Sequence, residues 1–507
     1  MSYLLGIDVG STNLKAVLYD LKGDEIASAS ELTQKVTPDG DNPDWAVWQP
    51  EQIWNGIAGS IKQVVSKIND PKQIKGVAVT GMGMDGVPID KSGNWLYPFI
   101  SWHCPRTKPQ MERWLETVGA EKQFAISGSP VWPFHTSFRL MWMKENAPEI
   151  LSKTHKWVLI EDFINFMLCD EFATDYSMAS STSLFDQKKQ QWSDELIGLA
   201  GIDKDLLCDA KPAGTVVGGV HSAASEKTGL AKGTPVVLGG HDYSCGCLPT
   251  GAFVPGVILD VIGTWEMIVT TLDQPLLDIS LCNAGALMDS HVVNGKWAIM
   301  AAAVAGDMTE WFKSQFGYED VKRAADEKIS EWHYLVEKAS ESPTGSNGIL
   351  FLPHMLGSFS PVIDAESAGA FIALRNNHTR ADMFRAVIEG LNFQFKDIID
   401  SIQESLTEIP EKIIAIGGPT RNDLWMQTKA DIALMVVEIP DVSEPVTLGA
   451  AMLAGIGAGV YDDLPQAYEA VKKKTRIVEP NEKENAKYAD FYQKYKKLYP
   501  ALKGIRS

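Results

Sequence analysis

The sequence predicts an α/β fold with mixed sheets, built twice in one chain, and three observations carry that prediction. The chain opens with an apolar strand over residues 3–8, a turn at Gly10-Ser11-Thr12-Asn13, and a second apolar strand over 14–19. Strands then alternate with helices, as α/β layering requires. The pattern restarts over 256–260, followed by Gly263-Thr264 and an apolar stretch at 267–270. Asp8-x-Gly10-Ser11-Thr12 and Asp260-x-x-Gly263-Thr264 thus each place Gly and a hydroxyl residue at a hairpin tip, an internal repeat suited to two related domains facing one ligand.

The elements follow in order. Lys22-Gly23-Asp24 is a turn that leads into a third strand. Ile53, Trp54, Ile57, Ile61, Val64, Val65 and Ile68 recur at three- and four-residue steps, the apolar face of a helix. Residues 76–80 and 235–238 read as short buried strands. A long helix is expected over 383–402, then a strand over 413–416 that ends in Gly417-Gly418. Residues 447–459 form a Gly/Ala-rich helix able to approach its neighbours closely, and the Lys/Tyr-rich tail over 488–503 reads as a solvated terminal helix. A length of 507 residues is enough for two to four domains. The repeat divides it into 1–247 and 248–507.

Charge narrows the partners. With 46 Lys+Arg against 65 Asp+Glu the chain carries −19, which disfavours nucleic acid and anionic membranes. An anionic ligand such as ATP then needs local backbone donors or Mg²⁺. The six cysteines are too sparse for a disulfide framework, so a cytoplasmic location is expected. Cys245-x-Cys247 reads as two small buried residues rather than a metal site. The N-terminus lacks a basic segment before its short apolar run, and no apolar run reaches the ~18–20 residues of a membrane span.

Two turns are candidate phosphate receptors, Gly10-Ser11-Thr12 and Gly263-Thr264, because such turns present N–H and O–H donors into a concavity; a plain hairpin explains either one alone. Lys15 either supports the first turn or is a solvated strand residue. Asp8, at a strand end, either orients Mg²⁺ through water or caps its turn. Asp242 follows an apolar strand and Gly239-Gly240-His241, where backbone can approach a ligand and a carboxylate can take a hydroxyl proton. His241 reads as structural, with a role as base or ligand the alternative. Met84, Asp85, Trp102 and Arg106 read as a polyol pocket, an indole face with hydrogen-bonding Asp and Arg, against ordinary core and ion-pair roles.

These residues resemble the FGGY family of carbohydrate kinases along nearly the whole chain. One family signature is similar to Phe134-x-Thr136-x-x-Arg139-Leu-x-Trp142-Met-x-Glu145-Asn146, with Arg139 where Lys is usual. The other is similar to Gly369-x-Phe371-x-Ala373-Leu374, seven residues, then Asp382-Met-x-x-Ala386-Val-Ile-Glu389, with Ala373 for a usual Gly. Neither change is expected to touch the chemistry. The resemblance implies an actin-like ATPase (ribonuclease-H-like) duplication, two domains around a nucleotide/sugar cleft. It implies ATP and Mg²⁺ as cofactors, with Asp242 as catalytic base and Asp8 and Asp242 at the metal. The two hairpins become phosphate loops, and Gly417, Gly418 and Asn422 an adenosine loop in which Pro419 replaces a usual Gly; Ser358-Phe359 replaces a usual Glu-Arg. Tyr243 joins the substrate residues. The pocket motifs are most similar to the branch acting on L-fuculose, so the expected substrate is a small sugar, a ketose such as L-fuculose, with xylulose, another polyol or an aldonate as alternatives. A homodimer is a candidate assembly, and an actin- or chaperone-like ATPase is the reading from another class.

Overall fold

The computed structural model describes residues 1–38, 42–406 and 408–506. Its first part opens with β1 (Tyr3–Val9), β2 (Asn13–Asp20) and β3 (Glu25–Leu32), an antiparallel meander turned at Gly23. Helix α1 (Pro50–Val65) leads to β4 (Ile74–Gly81), parallel to β1. A long insertion carrying α2 (Thr136–Asn146) and α3 (Ile160–Cys169) precedes β5 (Val216–Gly219) and β6 (Pro235–His241). The sheet order is β5-β6-β4-β1-β2-β3. Helix α4 (Asp242–Thr250) follows β6 without a loop.

The second part repeats the plan. Strands β7 (Val257–Ile262) and β8 (Trp265–Leu272) form a hairpin, extended by β9 (Leu287–Ser290) and β10 (Trp297–Val304). Helix α5 (Arg380–Gln403) precedes β11 (Lys412–Ile416), α6 (Asp423–Ala433) and β12 (Val436–Pro440). Helix α7 (Pro445–Gly457), β13 (Thr475–Val478), α8 (Glu482–Tyr495) and α9 (Leu498–Arg506) complete the chain. The order β9-β10-β8-β7-β11-β12-β13 reproduces the first sheet, two antiparallel, two parallel and one antiparallel pairing, with one added edge strand.

All strands of the first sheet lie before residue 247 and all of the second after it, but the expected cut at 247/248 falls inside α4. That helix is a common layer. Cys245 and Leu248 pack toward the first sheet, while Tyr243 and Cys247 pack toward the second. Helix α7 belongs to the second part by sequence yet covers β1, β4 and β6. Its small residues explain the fit: a Cβ on Gly6 would lie 1.9 Å from the Thr447 carbonyl, and one on Gly449 would lie 2.0 Å from that of Cys245.

The tail departs from expectation. It forms two helices, and Tyr488, Tyr492, Tyr495 and Leu498 are buried against Leu350, Leu352 and Phe393. Tyrosine carries a large apolar ring as well as a polar tip, so a Lys/Tyr-rich helix can bury one face and solvate the other. Among the described residues no helix is long and apolar enough to cross a membrane, and the six cysteines are free and buried.

Candidate active site

The site begins with a distortion in β6. Leu238 pairs with Val79 and Gly240 with Thr80, so Gly239 is an extra residue, a bulge. Bulges re-aim the chain, and this one turns His241 and Asp242 out at the strand end. A Cβ at Gly239 would sit 2.0 Å from the Val79 carbonyl, which is why the bulge needs glycine.

Asp242 opens α4 with its side chain 31% exposed. Its Oδ1 accepts the Tyr243 N–H at 2.6 Å and lies 2.8 Å from His241 Nδ1. His241 is held in turn: its N–H donates to Ser177 Oγ at 2.8 Å, and Ser177 Oγ donates to Asp175. Burial works against the charged imidazole, but Asp242, with Asp289 and Asp175 behind it, outweighs burial and raises the His241 pKa. The surrounding carboxylates therefore favour the protonated imidazole against the effect of burial.

Asp8 is the other carboxylate. Its side chain is partly open, yet Oδ1 is sealed from solvent without a hydrogen-bond donor. Burial first, and the charge of Asp242 second, push its pKa up to about 8. Lys15 lies directly across the hairpin, but its Nζ is 2.9 Å from both carboxylate oxygens of Glu444 at the start of α7. Of the two readings of Lys15, support for the first turn or a solvated strand residue, neither named this partner: its ammonium is paired with Glu444.

The two turns close on themselves through Gly10 N–H to Asn13 O, 3.0 Å, and Gly263 N–H to Trp265 O, 2.7 Å. Those two amides are spent on the hairpins, while Ser11, Thr12 and Thr264 stand at least partly exposed at the tips. Gly417 and Gly418 are exposed beside the second turn; a Cβ on Gly417 would come within 2.1 Å of the Ile262 carbonyl. Pro419 sits in the first turn of a short 3₁₀ helix, where a missing N–H costs nothing. Asn422 Oδ1 caps α6 by accepting the Trp425 N–H at 3.0 Å. Phe359 packs edge-on against Trp265 at 4.6 Å, so the Ser358-Phe359 departure borders the second turn.

On the sugar side, the structure places Asp85, Arg106, Tyr243 and Arg139 in packed surroundings. Asp85 is fully buried, 2.8 Å from Arg139 Nη2, and its Oδ2 accepts Trp48 Nε1–H at 2.6 Å and Trp102 N–H at 3.2 Å. Its carboxylate ties Trp48, Trp102 and Arg139 together. Arg106 is also buried, its guanidinium over Trp45 and Trp142 at 4.1 and 5.0 Å and bonded to Tyr97 Oη and Cys104 Sγ. Tyr243 points into the layer between the sheets, where its hydroxyl donates to Asp289 at 2.9 Å. Arg139, expected to be neutral for the site, pairs with Asp85 and donates to the Met84 carbonyl, which also accepts Thr136 Oγ1–H at 2.6 Å. Met84 and Trp102 remain partly exposed, with one face of Trp102 stacked on His103 at 3.7 Å.

Glu161, Asp175 and Asp289 were not anticipated. Burial raises all three, Asp175 and Asp289 up to about 6. Two adjacent carboxylates inside the apolar run Trp157–Phe166 were the available signal for Glu161. The second signature lies elsewhere: Asp382 forms a capping box with Thr379, and Glu389 pairs with Arg385 and the Gly345 N–H. Ala373 in that signature adopts φ 67°, a left-handed conformation costing an alanine about 1 kcal/mol.

Residues 3–249 match the N-terminal domain, and residues 260–458 the C-terminal domain, of the FGGY family of carbohydrate kinases. L-fuculokinase of Escherichia coli (strain K12) is 29% identical over 484 residues, 94% of this chain and 97% of that one. Xylulose kinase of Bacillus subtilis (strain 168) is 28% identical over 518 residues, covering 100% and 98%. The crystal structure of gluconate kinase from Lactobacillus acidophilus superposes with a TM-score of 0.88 at 25% identity, covering 99% and 98%. The duplicated sheets are those of the actin-like ATPase fold.

Proposed function

The chain belongs to the FGGY family of carbohydrate kinases, and from that premise we propose that it phosphorylates a hydroxyl of a small ketose, L-fuculose first. As a carbohydrate kinase it is a phosphotransferase with an alcohol acceptor, and kinases of this family take ATP as donor. The observation that carries the reading is Asp242, its Oδ1 fixed by two donors at the cleft while the side chain stays partly open. Asp242 accepts the proton of the attacking hydroxyl, which needs a carboxylate held within hydrogen-bond reach. Met84 and Trp102 line the sugar side, kept in place by Asp85 and Arg139. Ser11, Thr12 and Thr264 offer donors to the phosphates, and Gly417-Gly418 leaves room for the nucleoside.

Asp8 and Asp242 would hold Mg²⁺. The sealed, donor-less Asp8 Oδ1 and the engagement of Lys15 by Glu444 both fit a group that brings positive charge. When bound there, Mg²⁺ would supply positive charge that offsets the negative charge developing during transfer.

A second reading, xylulose as acceptor, is supported by the match to the Bacillus subtilis enzyme over the whole of this chain. A coupled ADP-release assay across L-fuculose, D-xylulose, polyols and gluconate tests both. L-fuculose is expected to give the highest kcat/KM, with negligible ATP turnover when sugar is omitted. Preference for xylulose transfers the assignment to the second reading, and sugar-independent turnover refutes both.

A further inference from the structure

We infer that Lys429 is a positioning residue for the nucleotide, tying the second hairpin to the helix behind the adenosine loop. The inference rests on the proposed assignment of those loops to ATP. Lys429 lies on α6 and is wholly buried, 2.7 Å from Asp260 Oδ2 on β7 and 2.5 Å from Glu266 Oε1 on β8. Asp260 stands three residues before Gly263, and Glu266 two after Thr264, so one ammonium grips both strands at the root of the turn. The ring of Phe395 on α5 covers it at 3.5 Å.

The same frame reaches the other loop twice. Gly417 presses on the carbonyl of Ile262, the last residue of β7. Asn422 caps α6 seven residues before Lys429, about two helical turns along one rigid element. Apolar packing would hold a helix on a sheet and still tolerate a small slide. A buried cation between two carboxylates does not, and fixing register is the best-attested use of such groups. Lys429 cannot serve the chemistry itself, because Asp260 and Glu266 lie on the outer face of their sheet, among residues covered by α5 and α6.

Two variants test this. Lys429→Met leaves two carboxylates without their counter-ion and is prone to misfold, so it is paired with Lys429→Met/Asp260→Asn/Glu266→Gln, which removes all three charges together. Binding of a non-hydrolysable ATP analogue by calorimetry, and KM for ATP against KM for sugar, are the readouts. At least a tenfold rise in the analogue Kd and in the ATP KM is expected in the folded triple variant, with sugar KM within twofold of the parent. A purely structural ion group would lower the melting temperature and leave the nucleotide Kd alone; a triple variant that binds the analogue within twofold of the parent overturns the inference. Thr264→Val separates the two levels. If it weakens the analogue and the triple variant does not, only the role of Lys429 falls, whereas an unchanged Kd in Thr264→Val removes the hairpin assignment and this inference with it.

Discussion

Asp8 lies two residues before the glycine that opens the first hairpin, and Asp260 lies three before the glycine that opens the second. In a strand that difference of one reverses the face. Asp8 shares its face with Leu4, whose neighbours include residues of α4 and α7, whereas Asp260 shares its face with Ile258, Ile262 and Ile268 under α5 and α6. The position that corresponds to Asp8 on the inner face of the second sheet is Val261. Asp8 therefore faces the side of α4 and α7 with its Oδ1 lacking a hydrogen-bond donor, and Asp260 is sealed beside Lys429. The duplicated fold shares its topology between the copies but places this carboxylate on opposite faces of the two sheets.

The sharpest way to break this comparison is to remove a carboxylate from the chemical side. Asp242→Asn keeps an oxygen for the Tyr243 N–H but cannot take a proton, so kcat should fall by roughly 10²–10⁴ with little change in melting temperature. Steady-state assays with scanning calorimetry check both halves of that statement. Near-normal turnover would remove Asp242 as the base.

On the other side the expected loss is of stability. Lys429→Met strands two buried carboxylates, and breaking a buried ion group in this way costs about 3–5 kcal/mol. Burial and the neighbouring Glu266 already push Asp260 well above the ordinary carboxylate range against the pull of Lys429, so the group has little reserve. Denaturant titration of Lys429→Met beside the charge-free triple variant should show the triple recovering most of the deficit. Equal deficits in the two would mean that packing, not charge, sets the cost.

Asp8→Asn probes the same contrast through pH. The Asp8 pKa is raised from 3.8 to about 8, so the folded state favours its protonated form. That contribution is full below the unfolded value and is lost as pH climbs from about 4 to about 8. Without divalent cation, the melting temperature of Asp8→Asn relative to the parent should therefore rise over that interval and level off above it. Adding Mg²⁺ with nucleotide should restore the parent only. Parallel melting curves across the range would show that Asp8 carries no such penalty.

The hairpins, the repeat and the placement of Asp242 at a strand end were legible in the sequence because each depends on local pattern: apolar runs punctuated by Gly, Ser and Thr, and a Gly-Gly pair before a carboxylate. Facing was harder to read. The Asp8 and Asp260 motifs look alike as strings, and only the pairing of Val9 with Leu14 and of Ile262 with Glu266 reveals the offset. The buried pairing on the sugar side was hidden for a different reason. Asp85 and Arg139 are 54 positions apart, and nothing near either announces that the two are buried together. The tail failed because charge frequency masked a tyrosine stripe that fills a core.

The smallest effect separates the two lysines. Lys429 lies between its carboxylates with no exposed surface, while Lys15 and Glu444 retain 25% and 33% of theirs. An ion pair so placed contributes at most about 1 kcal/mol, because water and salt screen it. Lys15→Met should therefore cost far less stability than Lys429→Met. It should still be felt at Asp8, where the Lys15 charge opposes the effects of burial and Asp242. Removing that charge raises the Asp8 pKa further and moves the pH midpoint of Mg²⁺ binding upward, an effect calorimetric titrations at several pH values can resolve. High salt should shrink the shift in the parent-to-variant comparison, since a partly exposed charge is screened over about 10 Å at 0.1 M. A midpoint that stays put would mean Glu444 neutralises Lys15 so fully that the first hairpin, like the second, keeps its lysine for architecture alone.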